Sequence, residues 1–301
     1  MTVSRSMKLG GRGSALSRVQ AQLASDALST IGIETEFVPI TTQGDRDQQS
    51  SLRTIGGQGV FVRAVESALL TGEIDLAVHS AKDVPPEIAE GTVLAAYLPR
   101  GDVRDALVSR SGAGLLELPQ RARVGTGSRR RAAQALHLRP DLELADIRGN
   151  VDTRLEKMER GEHDAVIVAA IGLQRLGRAP SQLIPIDLMM PSPGQGALVI
   201  QCRVEDADLL GLINHLPTAQ AVSAERAMLR ALGAGCSLPL AALGGVRFGE
   251  IILAGRLMSA DGSERIELQR TSEDPEEVGA EVAETLLERG GARLMEADRL
   301  S

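Results

Sequence analysis

The chain has 301 residues, a formal net charge of −7, 24% charged residues and 1% aromatic residues, with no Trp. This length and composition are typical of a globular protein with two or three domains. The negative charge and the lack of stacking side chains argue against nucleic-acid binding, and no apolar run is long enough to span a membrane. Two cysteines, Cys202 and Cys236, and no visible secretory signal predict a cytoplasmic protein without a disulfide framework or a structural zinc site.

The first predicted unit is a strand over residues 7–10, a glycine-containing turn over 11–14 and a helix. Apolar residues recur at helical spacing over 16–27. A strand, a glycine turn and a helix N-terminus together predict an anion site with Arg12 and Ser14 at its mouth. By itself this pattern is not specific, because every βα unit needs such a turn.

A second strand is predicted over 36–40, and a polar stretch follows over 41–59. This stretch carries little apolar material, so we interpret it as a mobile loop and a candidate lid. Phe61, Val65 and Leu69 are spaced to form the apolar face of the next helix.

A short apolar strand over 76–78 leads into an unusually polar stretch. His79, Ser80, Lys82 and Asp83 follow it within a few residues. Ligands of open α/β sheets bind at the carboxyl ends of strands, where a carboxylate beside a lysine and an imidazole could stabilise a developing cation or move protons. The alternative is an ordinary polar turn, which a Lys-Asp pair alone would favour. The arginines later in the chain favour a site for an anionic substrate that becomes locally cationic.

After a predicted crossing into a second domain at 99–102, the strand–turn–helix pattern recurs over 123–131. Six arginines and no acidic residue lie between Arg121 and Pro140. Helical neighbours are about 100° apart, so two of the arginines at 129–131 are expected to reach a ligand and one to be solvated. A solvated basic surface explains these residues equally well. The sequence matches neither the Walker loop nor the complete dinucleotide-binding fingerprint.

The same pattern occurs again after a predicted strand over 142–147. Arg148 lies in the turn and Arg154 on the first turns of the next helix, so both can point to one site. The run over 165–170 is the clearest buried parallel strand, and Arg175 follows it.

The remaining predicted elements complete the second lobe, return to the first and form a third unit. In order they are a strand at 183–188, a crossing at 191–196, a strand at 197–201, a helix capped by Thr218, an antiparallel meander over 240–269, and a helix that begins after Asp274 and ends near 290–291. Two α/β lobes joined by two crossings predict a hinged cleft lined by helix N-termini.

Several short motifs follow one another along the chain in a fixed order. They are Arg12-Gly-Ser14 with Gln20, Thr42-Gln-Gly-Asp45, Gly56-Gly-Gln-Gly-Val-Phe61, Ala77-Val-His-Ser-Ala-Lys-Asp-Val-Pro85, Arg104-Asp-Ala106, Val124-Gly-Thr-Gly-Ser-Arg-Arg-Arg131, Arg148-Gly-Asn-Val-Asp-Thr-Arg-Leu155, Gly172-Leu-Gln-Arg-Leu-Gly177, Pro193-Gly-Gln-Gly-Ala197 and Gly235-Cys236. With these motifs the chain resembles the porphobilinogen deaminase (hydroxymethylbilane synthase) family along nearly its whole length. So many motifs in order are specific, whereas any one of them alone is not.

The resemblance implies an α/β fold with two periplasmic-binding-protein-like domains, a hinged cleft and a smaller α+β C-terminal domain. The implied domains are 1–99 with 194–216, then 100–193, then 217–301. It also implies a monomeric transferase of haem biosynthesis that joins four porphobilinogen molecules with loss of ammonia through an azafulvene. The product grows on a dipyrromethane cofactor linked by a thioether to Cys236 and is released by hydrolysis as hydroxymethylbilane.

The resemblance also assigns site residues. Asp83 matches the family's catalytic aspartate, which stabilises cationic pyrrole nitrogens and assists proton movement. The implied cofactor-binding residues are Cys236, Ser80, Lys82, Asp83, Thr126, Ser128, Arg130, Arg131, Arg148 and Arg154. The implied substrate-binding residues are Arg12, Ser14, Arg148, Arg154, Arg175 and Gln195. Guanidinium groups suit acetate and propionate side chains because they pair with carboxylates bidentately.

The chain departs from the family pattern at a few positions. Gln58 stands where the loop usually has lysine, and Thr54 replaces a basic residue, although Arg53 is beside it. Gly127 replaces a serine, and Arg129 stands at a position that is usually apolar. We therefore do not expect the loop to bind carboxylates directly.

Two other interpretations remain open at this point. A solute-binding or anion-sensing protein of the same two-lobed fold would need the arginines but neither Asp83 nor a reactive Cys236, and a degenerate homologue would bind pyrroles without turnover. Cys202 is the alternative attachment site, but it follows the apolar strand at 197–200, so a small buried hydrophobic role is expected for it.

Overall fold

The chain divides into two compact units. A computed structural model describes residues 5–40, 59–233 and 239–300. Unit 1 contains Met1–Arg100 and Ala197–Ala219, and unit 2 contains Gly101–Gly196 and Gln220–Ser301. The predicted lid falls almost entirely outside the described residues, as does Cys236. The division into three domains stays a prediction.

The described residues contain strands and helices in alternation along most of the chain. The strands are β1 (Arg5–Arg12), β2 (Ile33–Ile40), β3 (Leu76–Ser80), β4 (Thr92–Tyr97), β5 (Asp105–Ser109), β6 (Arg123–Gly125), β7 (Glu143–Ala145), β8 (Ala165–Ala169), β9 (Gln182–Leu183), β10 (Leu198–Arg203), β11 (Leu240–Arg247), β12 (Glu250–Met258) and β13 (Arg265–Ser272). The α-helices are α1 (Ala15–Ser29), α2 (Gly59–Leu70), α3 (Arg129–Leu138), α4 (Val151–Glu159), α5 (Ala170–Arg175), α6 (Leu216–Ala231), α7 (Pro275–Leu286) and α8 (Ala292–Leu300). No described helix has the length and apolarity needed to span a membrane.

Unit 1 is built on a five-stranded mixed sheet in the order β2-β1-β3-β10-β4. β1 runs parallel to β2 and β3, whereas β10 runs antiparallel to β3 and β4. Leu9, Leu76 and Ile200 are buried in the sheet, and α1 covers it with Ala24 and Leu28. Burial of these apolar side chains is the main favourable contribution to the stability of the unit.

The turn into α1 has the predicted form. The Ser14 side chain caps the helix by accepting a hydrogen bond from the Ser17 backbone N–H at 3.3 Å, which satisfies one of the free donors of the first turn. The helix ends at Ser29, and Gly32 follows at a φ of +79°, a conformation that glycine adopts without strain.

Unit 2 contains a second five-stranded mixed sheet, in the order β7-β6-β8-β5-β9. β6 is parallel to β7 and β8, and β5 is antiparallel to β8 and β9. β8 is buried along its whole length, as predicted. The strand predicted at 183–188 is wrong beyond Leu183, because Pro185 follows and its carbonyl accepts turn hydrogen bonds from Leu188 and Met189.

The C-terminal part of unit 2 is a three-stranded antiparallel sheet, β11-β12-β13, that packs against α6 and α7. The predicted meander and the Asp274 cap are confirmed, since Asp274 Oδ1 accepts hydrogen bonds from the N–H groups of Glu276 and Glu277. The predicted cap at Thr218 is wrong, because α6 begins before it, at Leu216. α8 was not predicted. The α/β class with a smaller antiparallel C-terminal sheet is confirmed.

Candidate functional site

The first group of candidate residues lies at one edge of the unit 1 sheet. β1 and β3 are parallel neighbours, with Leu9 opposite Leu76, so their carboxyl ends lie at the same edge. Arg12 ends β1, and Ser80 ends β3. The sequence-predicted residues that the structure brings to this edge are Arg12, Ser14, Ser80, Lys82 and Asp83.

Asp83 lies on a short 3-10 helix that continues directly from β3. The helix spans Ala81–Asp83, and the sheet holds it because the Ala81 N–H donates to the Ala197 carbonyl at 3.0 Å. The Asp83 side chain is exposed, and none of the described residues donates a hydrogen bond to it. Its carboxylate is therefore available to a cationic ligand.

The neighbouring side chains at this edge are oriented by their own contacts. Ser80 Oγ accepts a hydrogen bond from Gln20 Nε2 at 2.9 Å, which ties the end of β3 to α1. The Arg12 guanidinium carbon lies 5.2 Å from the centre of the Phe61 ring. This cation–π contact orients the Arg12 guanidinium, which remains exposed at this edge.

His79 does not belong to this exposed group, although it is close to Asp83 in the sequence. β3 is a central strand, and His79 is 5% exposed inside the sheet. Burial lowers its pKa from 6.5 to about 4, and the Gln201 side chain offsets only part of this effect. Its Nε2 atom makes no hydrogen bond of ordinary length to the described residues. The imidazole is neutral at neutral pH and does not face a ligand from this edge.

The buried His79 makes stability depend on pH. Its folded pKa is lower than its unfolded pKa, so its contribution is fully present above pH 6.5 and is lost as the pH falls toward 4. We expect wild-type protein to lose about 2.5 kcal/mol more unfolding free energy than His79→Gln between about pH 7 and about pH 4.5. Urea unfolding at both pH values measures this difference. Equal losses in the two proteins would contradict the burial argument.

The second group of candidate residues lies at the corresponding edge of the unit 2 sheet. β6 is parallel to both β7 and β8, so the carboxyl ends of the three strands are neighbours. The Thr126 N–H donates to the Ala145 carbonyl at 2.9 Å, which joins the turns that follow β6 and β7. Ser128 caps α3. The residues brought to this edge are Thr126, Ser128, Arg130, Arg131, Arg148, Arg154, Arg175 and Gln195.

Arg130 and Arg131 are both buried, and both bind one carboxylate. Arg130 Nη1 donates to Asp105 Oδ2 at 2.6 Å, and Arg131 Nε donates to Asp105 Oδ1 at 2.9 Å. Gln195 Nε2 donates to the same carboxylate at 3.0 Å. Arg130 Nε is buried and has no acceptor in the described part of the chain. The pair therefore keeps an excess positive charge and an unused donor.

Asp105 holds this cluster together and was not assigned to the site from the sequence. Burial alone would raise its pKa, but the charges of Arg130 and Arg131 lower it well below its usual range. Burial lowers the pKa of Arg131, and repulsion from Arg130 and Arg154 acts in the same direction. The sequence signal for Asp105 was the Arg104-Asp105 pair at the start of an apolar strand. No neighbouring stretch of sequence identifies the arginines that bind its carboxylate.

The other arginines at this edge differ in their surroundings. Arg148 is exposed and lies 3.3 Å from Asp146, and Arg154 Nε donates to the Gly149 carbonyl at 2.8 Å. Arg175 ends α5 and is half-buried; burial lowers its pKa, and its Nε has no acceptor among the described residues. The edge thus offers guanidinium donors to a ligand that carries several carboxylates.

Of the two cysteines, Cys202 lies among the described residues and Cys236 does not. Cys202 is buried in β10, and burial raises the pKa of its thiol to about 11, so it is a poor nucleophile. Cys236 lies outside the described residues. Within the described ranges, no group of three or more His, Cys, Asp or Glu side chains is arranged to hold a metal ion.

Comparison with known proteins gives consistent results along the chain. Residues 7–211 match the model of the porphobilinogen deaminase, dipyromethane cofactor binding domain, and residues 219–288 match the porphobilinogen deaminase C-terminal domain. Among solved structures, the chain is similar to the L-cystine solute receptor of Neisseria gonorrhoeae at 12% identity and a TM-score of 0.40, over 77% of this chain and 89% of that chain.

Curated relatives extend this similarity to nearly full length. The porphobilinogen deaminase of Moorella thermoacetica is 46% identical over 96% of both chains. That of Syntrophotalea carbinolica is 44% identical over 98% of this chain and 96% of its own, and that of Rubrobacter xylanophilus is 45% identical over 95% of both. The chain belongs to the porphobilinogen deaminase family.

Proposed function

We propose that the chain is a transferase that joins four porphobilinogen molecules head to tail, with loss of ammonia, and releases hydroxymethylbilane by hydrolysis. Its family membership supports the reaction. The observation that carries the proposal is the pair of unused, buried guanidinium nitrogens, Arg130 Nε and Arg175 Nε, at one edge of a sheet. A buried donor without an acceptor is costly, and a carboxylate of the substrate or cofactor would satisfy it.

The donors at the unit 2 edge fit a dipyrromethane cofactor, whose acetate and propionate groups are carboxylates. Arg130, Arg131 and Arg148 would bind these groups together with Arg154, while Ser128 would add a hydroxyl donor. Asp105 accepts from two of the arginines, and the Nε donor of Arg130 has no acceptor among the described residues. When bound, the cofactor supplies the pyrrole carbon to which the first substrate is joined.

Attachment of the cofactor is assigned to Cys236. Of the two cysteines, Cys202 is buried, and its raised thiol pKa disfavours the thiolate. A thioether at Cys236 would keep the growing product on the protein until the final hydrolysis. This assignment rests on the match to the family motif Gly235-Cys236 and on the unsuitability of Cys202.

Asp83 is assigned the role of catalytic carboxylate in unit 1. Loss of ammonia from porphobilinogen places positive charge on the pyrrole nitrogen, and a fixed carboxylate stabilises such charge as it develops. The exposed Asp83 side chain, on a 3-10 turn held by the sheet, can approach that nitrogen and accept its proton. Lys82, Arg12 and Ser14 would bind substrate or cofactor carboxylates at the same edge.

The decisive experiment follows purified protein incubated with porphobilinogen. We expect release of one linear tetrapyrrole and four ammonia molecules for each four substrates, as in the reaction stated above. Binding of porphobilinogen without ammonia release would instead favour the solute-binding interpretation. We also propose that the protein is cytoplasmic and monomeric. Its mass in solution measures the oligomeric state.

The arginines of the β7–α4 turn are expected to act as carboxylate ligands. Arg148→Leu and Arg154→Leu should each slow cofactor assembly or chain elongation by about tenfold or more, because a charge-assisted bond is worth about 1.5–3 kcal/mol. Adduct mass and the rate of tetrapyrrole release measure the effect. Arg160→Leu is the matched control, since Arg160 follows α4 and binds the exposed Glu162. A wild-type rate in both variants would remove these residues from the site.

A further inference from the structure

Arg256 is a buried arginine in the C-terminal sheet that has no role in the reaction described above. It lies on β12, and its side chain is 2% exposed. Its guanidinium donates to Glu267 Oε2 at 2.8 Å, to Gln134 Oε1 at 2.5 Å and to the Asp187 carbonyl at 3.1 Å. A buried cation is costly without such partners, so Arg256 holds three separate segments at fixed positions.

The contact with Gln134 leads directly to the arginine cluster. Gln134 lies on α3, one turn after Arg130, and is itself 2% exposed. Its Nε2 donates to the Met190 carbonyl at 3.1 Å, and its Oε1 accepts from the Met190 N–H at 2.9 Å. Arg130 Nη1 donates to the same carbonyl at 2.6 Å. A continuous chain of buried hydrogen bonds therefore connects Arg256 with the guanidinium of Arg130.

A second contact fixes the rotation of α3. The Gly262 carbonyl, in the turn between β12 and β13, lies 2.8 Å from His137 Nδ1. Gly262 has a φ of +74°, and a Cβ there would lie 2.4 Å from the Ala133 carbonyl oxygen, so the turn packs closely on the helix. Gln134 and His137 are three residues apart on α3 and share one face. The hairpin thus contacts α3 at two points on that face.

We propose that Arg256 is a positioning residue: it sets the orientation of α3 so that Arg130 and Arg131 meet the carboxylates of the attached pyrrole chain. This inference rests on the proposed function. β11 pairs with β12, Ala241 lies opposite Arg256, and Ala241 follows Cys236 closely in the sequence. Arg256 therefore connects the sheet that follows the attachment cysteine with the helix that carries the carboxylate ligands.

Arg265 provides a matched control for this role. It donates to the same carboxylate of Glu267, with Nε at 2.8 Å, but it is partly exposed and donates no hydrogen bond to the described residues of α3. Leu253, a fully buried residue of the same core, provides a control for lost stability. Arg265→Met removes an ion pair of Glu267, and Leu253→Ala removes core packing. Neither variant removes the hydrogen bond that Gln134 accepts from Arg256.

The test measures two quantities on protein isolated from cells: the fraction with adduct mass, and the separate KM and kcat for porphobilinogen. In Arg256→Met we expect KM to rise about tenfold, with a smaller change in kcat and a reduced adduct fraction, because α3 loses a charged hydrogen bond. Arg256→Lys keeps a cation but cannot reach three acceptors, so an intermediate KM is expected. Both control variants should keep the wild-type KM.

Two outcomes would overturn the inference, and a third would overturn the proposed function instead. A wild-type KM and adduct fraction in Arg256→Met would show that Arg256 does not position the arginines. An equal rise in KM in Leu253→Ala would show that lost stability alone explains the effect. Wild-type protein with neither adduct nor tetrapyrrole release would contradict the proposed function, whatever the variants do.

Discussion

Asp83→Asn is expected to keep the fold and the bound cofactor while turnover falls by at least about a hundredfold, or on the order of 3 kcal/mol of barrier. The amide has nearly the same shape as the carboxylate but cannot offset the positive charge that develops as ammonia leaves. The fold should persist because the carboxylate is exposed and receives no hydrogen bond from a described residue. The rate of tetrapyrrole release and the intact mass measure the two effects.

Two further variants make this result specific to the charge at position 83. Asp83→Glu keeps the charge on a longer side chain, so its rate should lie between those of wild type and the Asn variant. Glu87→Gln removes another exposed carboxylate from the same connection and should leave turnover unchanged. Near-native turnover in Asp83→Asn would remove Asp83 from the chemistry.

Cys236→Ser is expected to abolish both the adduct and the activity. A serine hydroxyl is similar in size to the thiol, but it cannot form the thioether and is a far weaker nucleophile at neutral pH. Protein isolated from cells should therefore have its sequence mass, whereas wild-type protein should be heavier by two linked pyrrole rings. Intact-mass measurement and the turnover assay check both parts.

The matched control for this prediction is Cys202→Ala. Cys202 is buried in the unit 1 core with a thiol pKa of about 11, so the variant should lose about 1–2 kcal/mol of stability from packing. It should keep the adduct and the activity. An adduct on Cys202, or full activity with unmodified Cys236, would show that the attachment site is wrong.

The local features of both sheet edges could be predicted from the sequence. The turn into α1, the turn into α3 and the cap at Asp274 each depend on a few neighbouring residues, and the structure places Ser14, Ser128 and Asp274 at the three helix N-termini. β8 was predicted from its continuous apolar run. The order of the short motifs along the chain also identifies the family from sequence alone, because each motif is a local stretch of neighbouring residues.

The surroundings of the predicted side chains depended on the tertiary structure. The sequence predicted that two of three adjacent arginines reach a ligand, but it did not show that Arg130 and Arg131 share Asp105. It placed His79 beside Asp83, whereas a central strand buries the imidazole. In a strand buried on both faces, alternation no longer separates inward from outward side chains.

By itself, the sequence determined the α/β class, the positions of the turns that precede α1 and α3, and the family, because apolar periodicity, turn chemistry and short motifs are local properties. The tertiary structure alone decided which carboxylate pairs the buried arginines and that Arg256 reaches Gln134 across 122 positions of the chain. Such pairings depend on which segments the sheets bring together. No short stretch of sequence contains that information, since each partner is an ordinary polar residue until the fold buries it.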